Sequence, residues 1–548
     1  MAWPFRDRIP RVSLPEVAVF VSGVSSMGLE ILAGRIVAPQ YGSSIYTWGT
    51  IIGVFLLALS LGYIHGGRRA AERATVPRIV WLLLVPAAYI AVVVFAHDRL
   101  VVVAGGFGLP NRFASLPAVV VLFGPPTYVL GYISPYAAEL SDAESTGAAS
   151  GHVYAVGTVG SIIGAFGTTF VLIPALSIEA IGLVLGFLLV GAALVTTLAT
   201  RHARSLTATL LVGTLLVTAG SAGTIGVSAG GPVVYETHTP YQQLEVTDLA
   251  GIRTLYLDGQ PHSAMDLDDP NRHVFEYTRY FHLPFLLSDD IDRVLFVGGG
   301  GFTGPKRFVA DYDVTVDVVE IDPVVIETAE RYFGVERSED LRIHQGDGRA
   351  FLRETETTYD LIILDAYKKD KVPFQLTTVE FMGLAAERLS DDGVLLANLI
   401  SAPNGPASQF YRAEYKTVER AFPQVYAFPT SSANTVQNIE LVATKRSTHV
   451  SKAELRRRND ARDIGIDLDD AISHYRATVP TDDVPVLRDD HAPVDSLVDP
   501  MIGQRYVVNQ TVPRGSVERV RFPPALTTPS AARGVDGAIA RPAVAVEL

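Results

Sequence analysis

The residues best suited to chemistry follow a short apolar segment in the second half of the chain. Residues 294–297 read Val-Leu-Phe-Val and run directly into four glycines, which are Gly298, Gly299, Gly300 and Gly301. Because glycine has no Cβ, such a run lets the backbone turn sharply and approach a ligand closely. Twenty residues beyond Gly300, Glu320 ends the next apolar segment, where a carboxylate can accept both hydroxyls of a ribose. The pair predicts a nucleoside-binding turn, and a plain tight turn is the alternative.

Two further carboxylates follow later apolar segments. Asp347, between Gly346 and Gly348, can reach an adenine amino group, although an Asx turn that caps the next helix explains it equally well. Asp365 stands at the carboxyl end of a fourth predicted strand, the edge where open α/β sheets bind ligands. A carboxylate there can orient or deprotonate an attacking group, and a loop cap is the alternative. The glycine turn and Glu320 alone would also fit a dinucleotide-binding site. Asp347 and Asp365 make that interpretation the less favoured one.

Strands and helices alternate around these acids, which is typical of a doubly wound, mostly parallel α/β sheet. Asp322 precedes Pro323 and is the predicted cap of the helix after Glu320. Three short segments ahead of this sheet, broken by turn residues, predict a small β-region. The predicted strands are 233–236, 242–247, 253–257, 291–297, 314–320, 341–344, 361–364, 394–399 and 441–444, and the predicted helices are 322–332, 376–389 and 409–422.

The first half of the chain consists of long apolar stretches. About 20 mostly apolar residues span the hydrocarbon core of a bilayer, and seven stretches meet that requirement. Several are rich in small residues, as in GTVGSIIGAFG at 157–167, which lets membrane helices pack closely in a bundle. The shorter apolar stretch at 100–109 is a candidate re-entrant segment. The seven predicted spans lie near 15–37, 46–65, 79–97, 116–137, 152–175, 178–199 and 206–228.

These patterns divide the chain into four parts. Residues 1–230 form a polytopic membrane domain of about seven helices, and residues 231–285 form the small β-region. Residues 286–508 form a Rossmann-like, methyltransferase-type catalytic domain that binds a nucleoside. Residues 509–548 are a flexible tail, because they are rich in Pro, Ala, Thr, Gly and Arg without an apolar period.

Two ionisable residues, Glu30 and Arg35, lie within the first predicted span. Such groups are costly in a bilayer, so they usually pair with one another or line a cavity. They can form a polar pathway or contact a substrate. In the alternative, Arg35 lies at the membrane interface and Glu30 pairs within the bundle.

Charge is unevenly distributed over the 548 residues. Residues 1–230 carry 12 Lys and Arg against 9 Asp and Glu, and the rest carry 33 against 49. The acidic second half would repel nucleic acid, so no DNA or RNA partner is expected. The chain has no Cys, which excludes disulfides, thiolate zinc sites, iron–sulfur clusters and cysteine nucleophiles. No metal site is expected.

Several motifs occur in the order in which spermidine synthases carry them, and the chain resembles the membrane-fused form of that family over roughly residues 15–500. The motifs of the second half are Tyr241-Gln242, Leu257-Asp258-Gly259, Gly298–Gly301, Val319–Asp322, Gly346–Gly348 and Tyr359–Asp365. The marks of the membrane-fused form are Met27–Glu30, Arg35, Ala38-Pro39, Trp48-Gly49 and Asp489–Val494.

The resemblance implies a transferase of polyamine biosynthesis that uses decarboxylated S-adenosylmethionine as co-substrate, with no tightly bound cofactor. The aminopropyl group would move to an amine such as putrescine by in-line displacement at the carbon next to the sulfonium. The enzyme would hold the reactants in line and keep the attacking amine unprotonated. By resemblance, Gln242, Glu320, Asp347 and Gly348 bind the thioadenosine at the glycine turn, and Asp365 accepts the proton. The expected partners are the donor, an amine and the lipid bilayer, and a homo-oligomer is left open.

The chain departs from soluble spermidine synthases at three acidic positions. Gly301 stands where their glycine turn carries Asp, and Lys368 replaces the second Asp of their Asp-Ser-x-Asp stretch. Thr278 takes a third acidic position when His282-Leu283-Pro284 is held in register. These acids are the ones expected to bind a dicationic polyamine. The resemblance therefore implies that donor binding is retained and that the polyamine side is largely lost.

Two alternatives stay open. The first is a methyltransferase-type enzyme that uses ordinary S-adenosylmethionine on a lipophilic or anionic acceptor, which the cations Arg279, Lys368, Lys369 and Lys371 support. The second is a non-catalytic, nucleoside-gated transporter, which Glu30 and Arg35 support.

The expected location is the cell membrane, with several spans and a cytoplasmic catalytic domain, because the donor is made in the cytosol. The charge pattern points the other way. Arg6, Arg8 and Arg11 precede the first span, and four more arginines lie at 68–78. The positive-inside rule puts these segments in the cytoplasm, and seven crossings then leave the catalytic half outside. We give the donor argument more weight.

Overall fold

The architecture comes from a computed structural model of the chain. The described residues are 13–41, 44–105, 109, 111–141, 145–223, 231–239, 241–369, 372–501 and 504–511. Most of the predicted tail, from residue 512 onward, lies outside them. Residues 509–511 hydrogen-bond with the segment at 274–276, through Glu276 N–H to the Asn509 carbonyl and Thr511 N–H to the Val274 carbonyl.

Among the described residues, seven helices are long and apolar enough to cross a membrane, as the sequence predicts. They are α1 (Leu14–Ala38), α2 (Ile45–Arg73), α3 (Val76–His97), α4 (Leu116–Glu139), α5 (Thr146–Ala175), α6 (Ile178–Thr200) and α7 (Ala203–Ser221). The helix that contains α3 continues to Gly105. The prediction of a re-entrant segment at 100–109 is therefore wrong for residues 100–105, because these residues continue the third helix.

Small residues bring α1 and α5 into backbone contact. A Cβ on Gly160 would lie 2.3 Å from the Phe20 carbonyl oxygen, and one on Gly164 would lie 2.3 Å from that of Val24. No larger residue fits at either position without moving a helix. The glycine-rich stretch at 157–167 thus forms a packed helix of the bundle, as predicted.

Within the described part of the chain, hydrogen bonds join the membrane helices to the second half near the end of α1 and at the start of α2. Arg35, near the end of α1, donates from Nη2 to the Thr239 carbonyl oxygen at 3.0 Å. At the start of α2, Ile45 N–H donates to Asp495 Oδ2 at 3.3 Å. Arg35 therefore lies at the interface between the two halves. Glu30 is partly buried within α1, and its pairing within the bundle stays a prediction.

The small β-region is an antiparallel sheet in the order β1-β2-β3-β4. Three of its strands were predicted, and the fourth, β4, has too few apolar residues to be recognised. The strands are β1 (Val233–His238), β2 (Gln243–Leu249), β3 (Ile252–Leu257) and β4 (Gln260–Asp266).

A second sheet has seven strands in the order β10-β11-β9-β8-β5-β6-β7. Strands β5 to β9 run parallel, whereas β11 is antiparallel to both of its neighbours. Burial on both faces explains the nearly continuous apolar runs of the central strands. The strands are β5 (Arg293–Val297), β6 (Thr315–Glu320), β7 (Leu341–Gln345), β8 (Tyr359–Leu364), β9 (Leu389–Ser401), β10 (Gln424–Pro429) and β11 (Gln437–Thr444).

The doubly wound fold is confirmed by the helices that connect these strands. Helix α11 begins at Val379 rather than at the predicted residue 376, because Thr378 caps it and residues 374–376 form a separate 3₁₀ turn. The helices are α8 (Thr303–Asp311), α9 (Pro323–Tyr332), α10 (Gly348–Glu354), α11 (Val379–Glu387), α12 (Gln409–Val418), α13 (Lys452–Ala461), α14 (Asp469–Ser473) and α15 (Val494–Val498).

Candidate active site

The turn after β5 requires glycine at position 298. Its φ of +99° lies in the left-handed region that favours glycine. A Cβ on Gly298 would also lie 2.3 Å from the carbonyl oxygen of Asp365. Because β5 and β8 are neighbours, this close approach joins the carboxyl ends of both strands. Gly298 and Gly300 line a cavity, whereas Gly301 lies behind it and donates its N–H to Ser263 Oγ at 2.9 Å.

Glu320 ends β6 next to this turn. Its Oε2 accepts the Gly299 N–H at 2.8 Å, and its Oε1 accepts the Asp322 N–H at 2.9 Å. Burial raises the pKa of Glu320, and the backbone N–H groups oppose that effect because they stabilise the carboxylate. These backbone N–H groups hold the carboxylate at the wall of the cavity. This is the arrangement that a vicinal diol, such as a ribose, can bind.

Asp347 combines the two roles considered from the sequence. Its Oδ1 accepts the Ala350 N–H at 2.9 Å and caps α10. The same residue lines the cavity, together with Gly348. A Cβ on Gly348 would lie 2.4 Å from Cγ1 of Val297, so glycine lets α10 start directly against β5.

Gln242 is presented by a turn just before β2. Thr239 Oγ1 accepts the Gln242 N–H at 3.1 Å and donates to Asp322 Oδ2 at 2.6 Å. The Gln242 side chain lies between two elements, because its Nε2 is 3.5 Å from Asp322 Oδ2 and its Oε1 accepts a hydrogen bond from Lys368 Nζ. Through the carbonyl of Thr239, this turn is also bound to Arg35 of α1.

Asp365 follows β8 and is held by a chain of hydrogen bonds. Its Oδ1 accepts from Asn398 Nδ2 at 2.8 Å, and Asn398 Oδ1 accepts from Asn438 Nδ2 at 2.7 Å. Tyr506 donates its hydroxyl to Asn438 Oδ1 at 2.7 Å. Burial raises the pKa of Asp365 to about 6, with a further rise from the nearby Glu320 carboxylate and an opposing effect from Asn398. A carboxylate with such a pKa is well suited to accept a proton near neutral pH.

These residues border one cavity of about 400 Å³. Seven predicted site residues line it, which are Gln242, Gly298, Gly300, Glu320, Asp347, Gly348 and Asp365. Apolar side chains from α9 and from the segment before α11 complete the walls, among them Val325 and Leu376. The cavity therefore has an apolar body with carboxyl groups at the ends of adjacent strands, which suits an adenine-bearing cation.

A smaller recess of about 30 Å³ adjoins the cavity beneath Asp365. Its walls include Tyr277, Asn398, Asn438 and Tyr506. Lys368 borders both the recess and the cavity and donates from Nζ to Asp258 Oδ2 at 3.1 Å. The pKa of His262, on the wall shared by both, is lowered to about 3 by burial and by Lys368, so this imidazole is neutral.

The sequence did not identify all of these residues. Thr278 points away from the cavity, since its hydroxyl bonds His273 and the Phe275 carbonyl, and the preceding Tyr277 lines the cavity instead. Arg279 is bound to Glu276 and to the Asp467 carbonyl, which removes its support for an anionic acceptor. Lys371 lies outside the described residues. The asparagine chain gave no signal, because its members come from three separate segments.

The second half of the chain is similar to several known proteins. Residues 275–444 match the model of the spermine/spermidine synthase domain. A polyamine aminopropyltransferase from Vibrio vulnificus is 33% identical over 238 residues, which are 41% of this chain and 77% of the relative. One from Chromobacterium violaceum is 27% identical over 246 residues, 43% and 90% of the two chains. A crystal structure of a probable spermidine synthase from Corynebacterium glutamicum has 22% sequence identity and a TM-score of 0.37, and the match covers 42% of this chain and 87% of that one.

The glycine turn gives a direct test of the site's backbone. We expect Gly298→Ala to lower the melting temperature of the protein, because the new methyl group meets the Asp365 carbonyl at a positive φ; the cost should be about 1–3 kcal/mol. Gly346→Ala is the matched control, since a Cβ there has nothing within 4 Å. Thermal unfolding followed by circular dichroism measures both. Equal melting temperatures for the two variants would contradict the proposed contact.

Proposed function

The chain belongs to the spermine/spermidine synthase family of polyamine aminopropyltransferases, and from this premise we propose that its 400 Å³ cavity binds decarboxylated S-adenosylmethionine and presents it to an amine. The protein is a transferase of the spermidine synthase type, and neither the methyltransferase nor the transporter alternative is favoured. One observation carries the proposal. Glu320, Asp347 and Asp365, from the ends of three strands, border a single cavity.

The donor is bound by its adenosine part in this proposal. Glu320 accepts the two ribose hydroxyls, since its carboxylate borders the cavity while backbone N–H groups hold it in place. Asp347 accepts from the adenine amino group with the carboxylate that also caps α10. Gln242 and the backbone at Gly298 and Gly300 contact the thioadenosine where β5 ends.

Asp365 is the proton acceptor of the transfer. The amine nitrogen forms a bond to the aminopropyl carbon next to the sulfonium, and the carbon–sulfur bond breaks with its electron pair going to sulfur. The products are an N-aminopropyl amine and methylthioadenosine, and the amine proton passes to the Asp365 carboxylate. Because the leaving sulfur is already cationic, alignment of the two reactants is the protein's main contribution.

The proposed role of Asp365 also predicts how kcat/KM depends on pH. With a pKa of about 6 for Asp365, the active carboxylate is lost as the pH falls below that value, so kcat/KM should decline on the acid side. Asn398→Ala removes the donor that lowers this pKa and should move the decline to higher pH.

Asp365→Asn should reduce turnover by about 10²–10⁴-fold while methylthioadenosine still binds.

Release of methylthioadenosine by the purified full-length protein measures these rates, and calorimetry measures binding. Asp360→Asn is the matched control, because Asp360 lies on the same strand and accepts only the Asp292 and Arg293 N–H groups. Unchanged turnover in Asp365→Asn would reject Asp365 as the proton acceptor.

The cell membrane is the proposed location, with the catalytic domain on the cytoplasmic face. A sulfonium donor carries a permanent charge and does not cross a bilayer unaided. The arginines at the end of α2 and the start of α3, and those at the junction of α6 and α7, lie on the opposite side of the bundle, because the helices alternate in direction. This orientation therefore runs against the positive-inside rule.

Single cysteines can test the orientation without background labelling, since the chain has no Cys. Glu336 of the catalytic domain and Ala203 at the start of α7 are both exposed and lie on opposite sides of the bundle. In intact cells, we expect a membrane-impermeant maleimide to label Ala203→Cys and to label Glu336→Cys only after lysis. The reverse pattern would place the catalytic domain outside.

A further inference from the structure

Lys368 brings a fixed ammonium group to the mouth of the recess. Its Nζ donates to Asp258 Oδ2 at 3.1 Å and to Gln242 Oε1. Only 17% of the Lys368 side chain and 30% of the Asp258 side chain are exposed. The pair is thus partly desolvated and in contact with both the large cavity and the recess.

Two acidic and two basic residues border the recess, and one acidic residue is already paired with a lysine. Its acidic lining residues are Asp258 and Asp365, and its basic ones are Lys368 and Lys369. Lys368 already neutralises Asp258, so Asp365 is the carboxylate left for a cationic substrate. Glu440 lies behind the recess and is fully buried, and burial with the nearby Asp365 raises its pKa well above the usual value. Glu440 is also not among the residues that line the recess.

The remaining walls are neutral and the space is small. Tyr277, Asn398, Asn438 and Tyr506 supply hydroxyl and amide groups, and Ile400 supplies apolar surface. Lys368 itself borders this space of about 30 Å³, so a second ammonium placed there would lie close to Lys368 Nζ. Two like charges in direct contact at a partly buried site repel strongly.

We infer that Lys368 takes the place of a second substrate ammonium, so that the acceptor is a primary amine with a single ammonium group and an uncharged tail. This inference rests on the proposed aminopropyl transfer. The attacking nitrogen sits at Asp365, forms the new N–C bond as the C–S bond breaks, and gives its proton to that carboxylate. The tail of the amine occupies the neutral recess.

A matched pair of amines tests the inference. Putrescine and n-pentylamine have the same number of non-hydrogen atoms and differ in one ammonium. With decarboxylated S-adenosylmethionine and the full-length protein, we expect kcat/KM for n-pentylamine to exceed that for putrescine by at least about tenfold. Lys368→Asp should reverse this preference, and Lys368→Met should reduce it. The ratio between the two amines is the readout, because donor affinity affects both equally.

Lys452→Asp is the control, since it makes the same charge change on α13, at the helix start where Lys452 Nζ contacts the Ser473 carbonyl, and it should leave the ratio unchanged. A wild-type preference for putrescine, or an unchanged ratio in both Lys368 variants, would overturn the inference and leave the proposed transfer intact. No methylthioadenosine release with either amine would reject the transfer itself, and the inference with it.

Discussion

Two carboxylates at the ends of the strands on either side of β5 set the character of the site. Glu320 and Asp365 both border the same cavity, and the charge of Glu320 raises the pKa of Asp365. Buried carboxylates are costly unless hydrogen-bond donors or a cation stabilise them. The backbone supplies part of that stabilisation at Glu320, and Asn398 supplies it at Asp365. In the proposed function, the sulfonium of the donor completes this stabilisation.

The membrane half is joined to this site through one short turn. Arg35 of α1 binds the Thr239 carbonyl, and the Thr239 hydroxyl binds both Asp322 and the backbone of Gln242. The turn that presents Gln242 to the cavity is therefore held from both sides.

The sequence predicted the parts of the site that directly follow apolar strands. Gly298, Glu320, Asp347 and Asp365 were found because a buried strand followed by glycine or an acid is a local pattern, and the cap at Asp322 was equally local. Strands β4 and β10 were missed, since β4 is largely polar and both strands contain proline.

Local sequence patterns could not predict which distant residues contact the site residues in the folded protein. Asn398, Asn438 and Tyr506 reach Asp365 from three distant segments, and no spacing signals their contact. With His282-Leu283-Pro284 held in register, the sequence predicted that Thr278 takes an acidic position of the family's site. The single helical turn at Tyr277–Tyr280 instead directs the neighbouring Tyr277 to the cavity. The sequence showed that Lys368 departs from the family's acidic pattern. It did not show the ion pair of Lys368 with Asp258, because that pair depends on how β3 approaches β8.

The central claim is that Glu320 binds the ribose of an adenosine-bearing ligand in the cavity. Calorimetric titration of the full-length protein with methylthioadenosine tests it most directly, with Glu327→Gln, an exposed position on α9, as the control for Glu320→Gln. We predict saturable binding by the wild type and the control, and an affinity reduced about tenfold or more in Glu320→Gln, because a charged acceptor of two hydroxyls is lost. Absence of binding to the wild type, or equal affinities in all three proteins, would contradict the account.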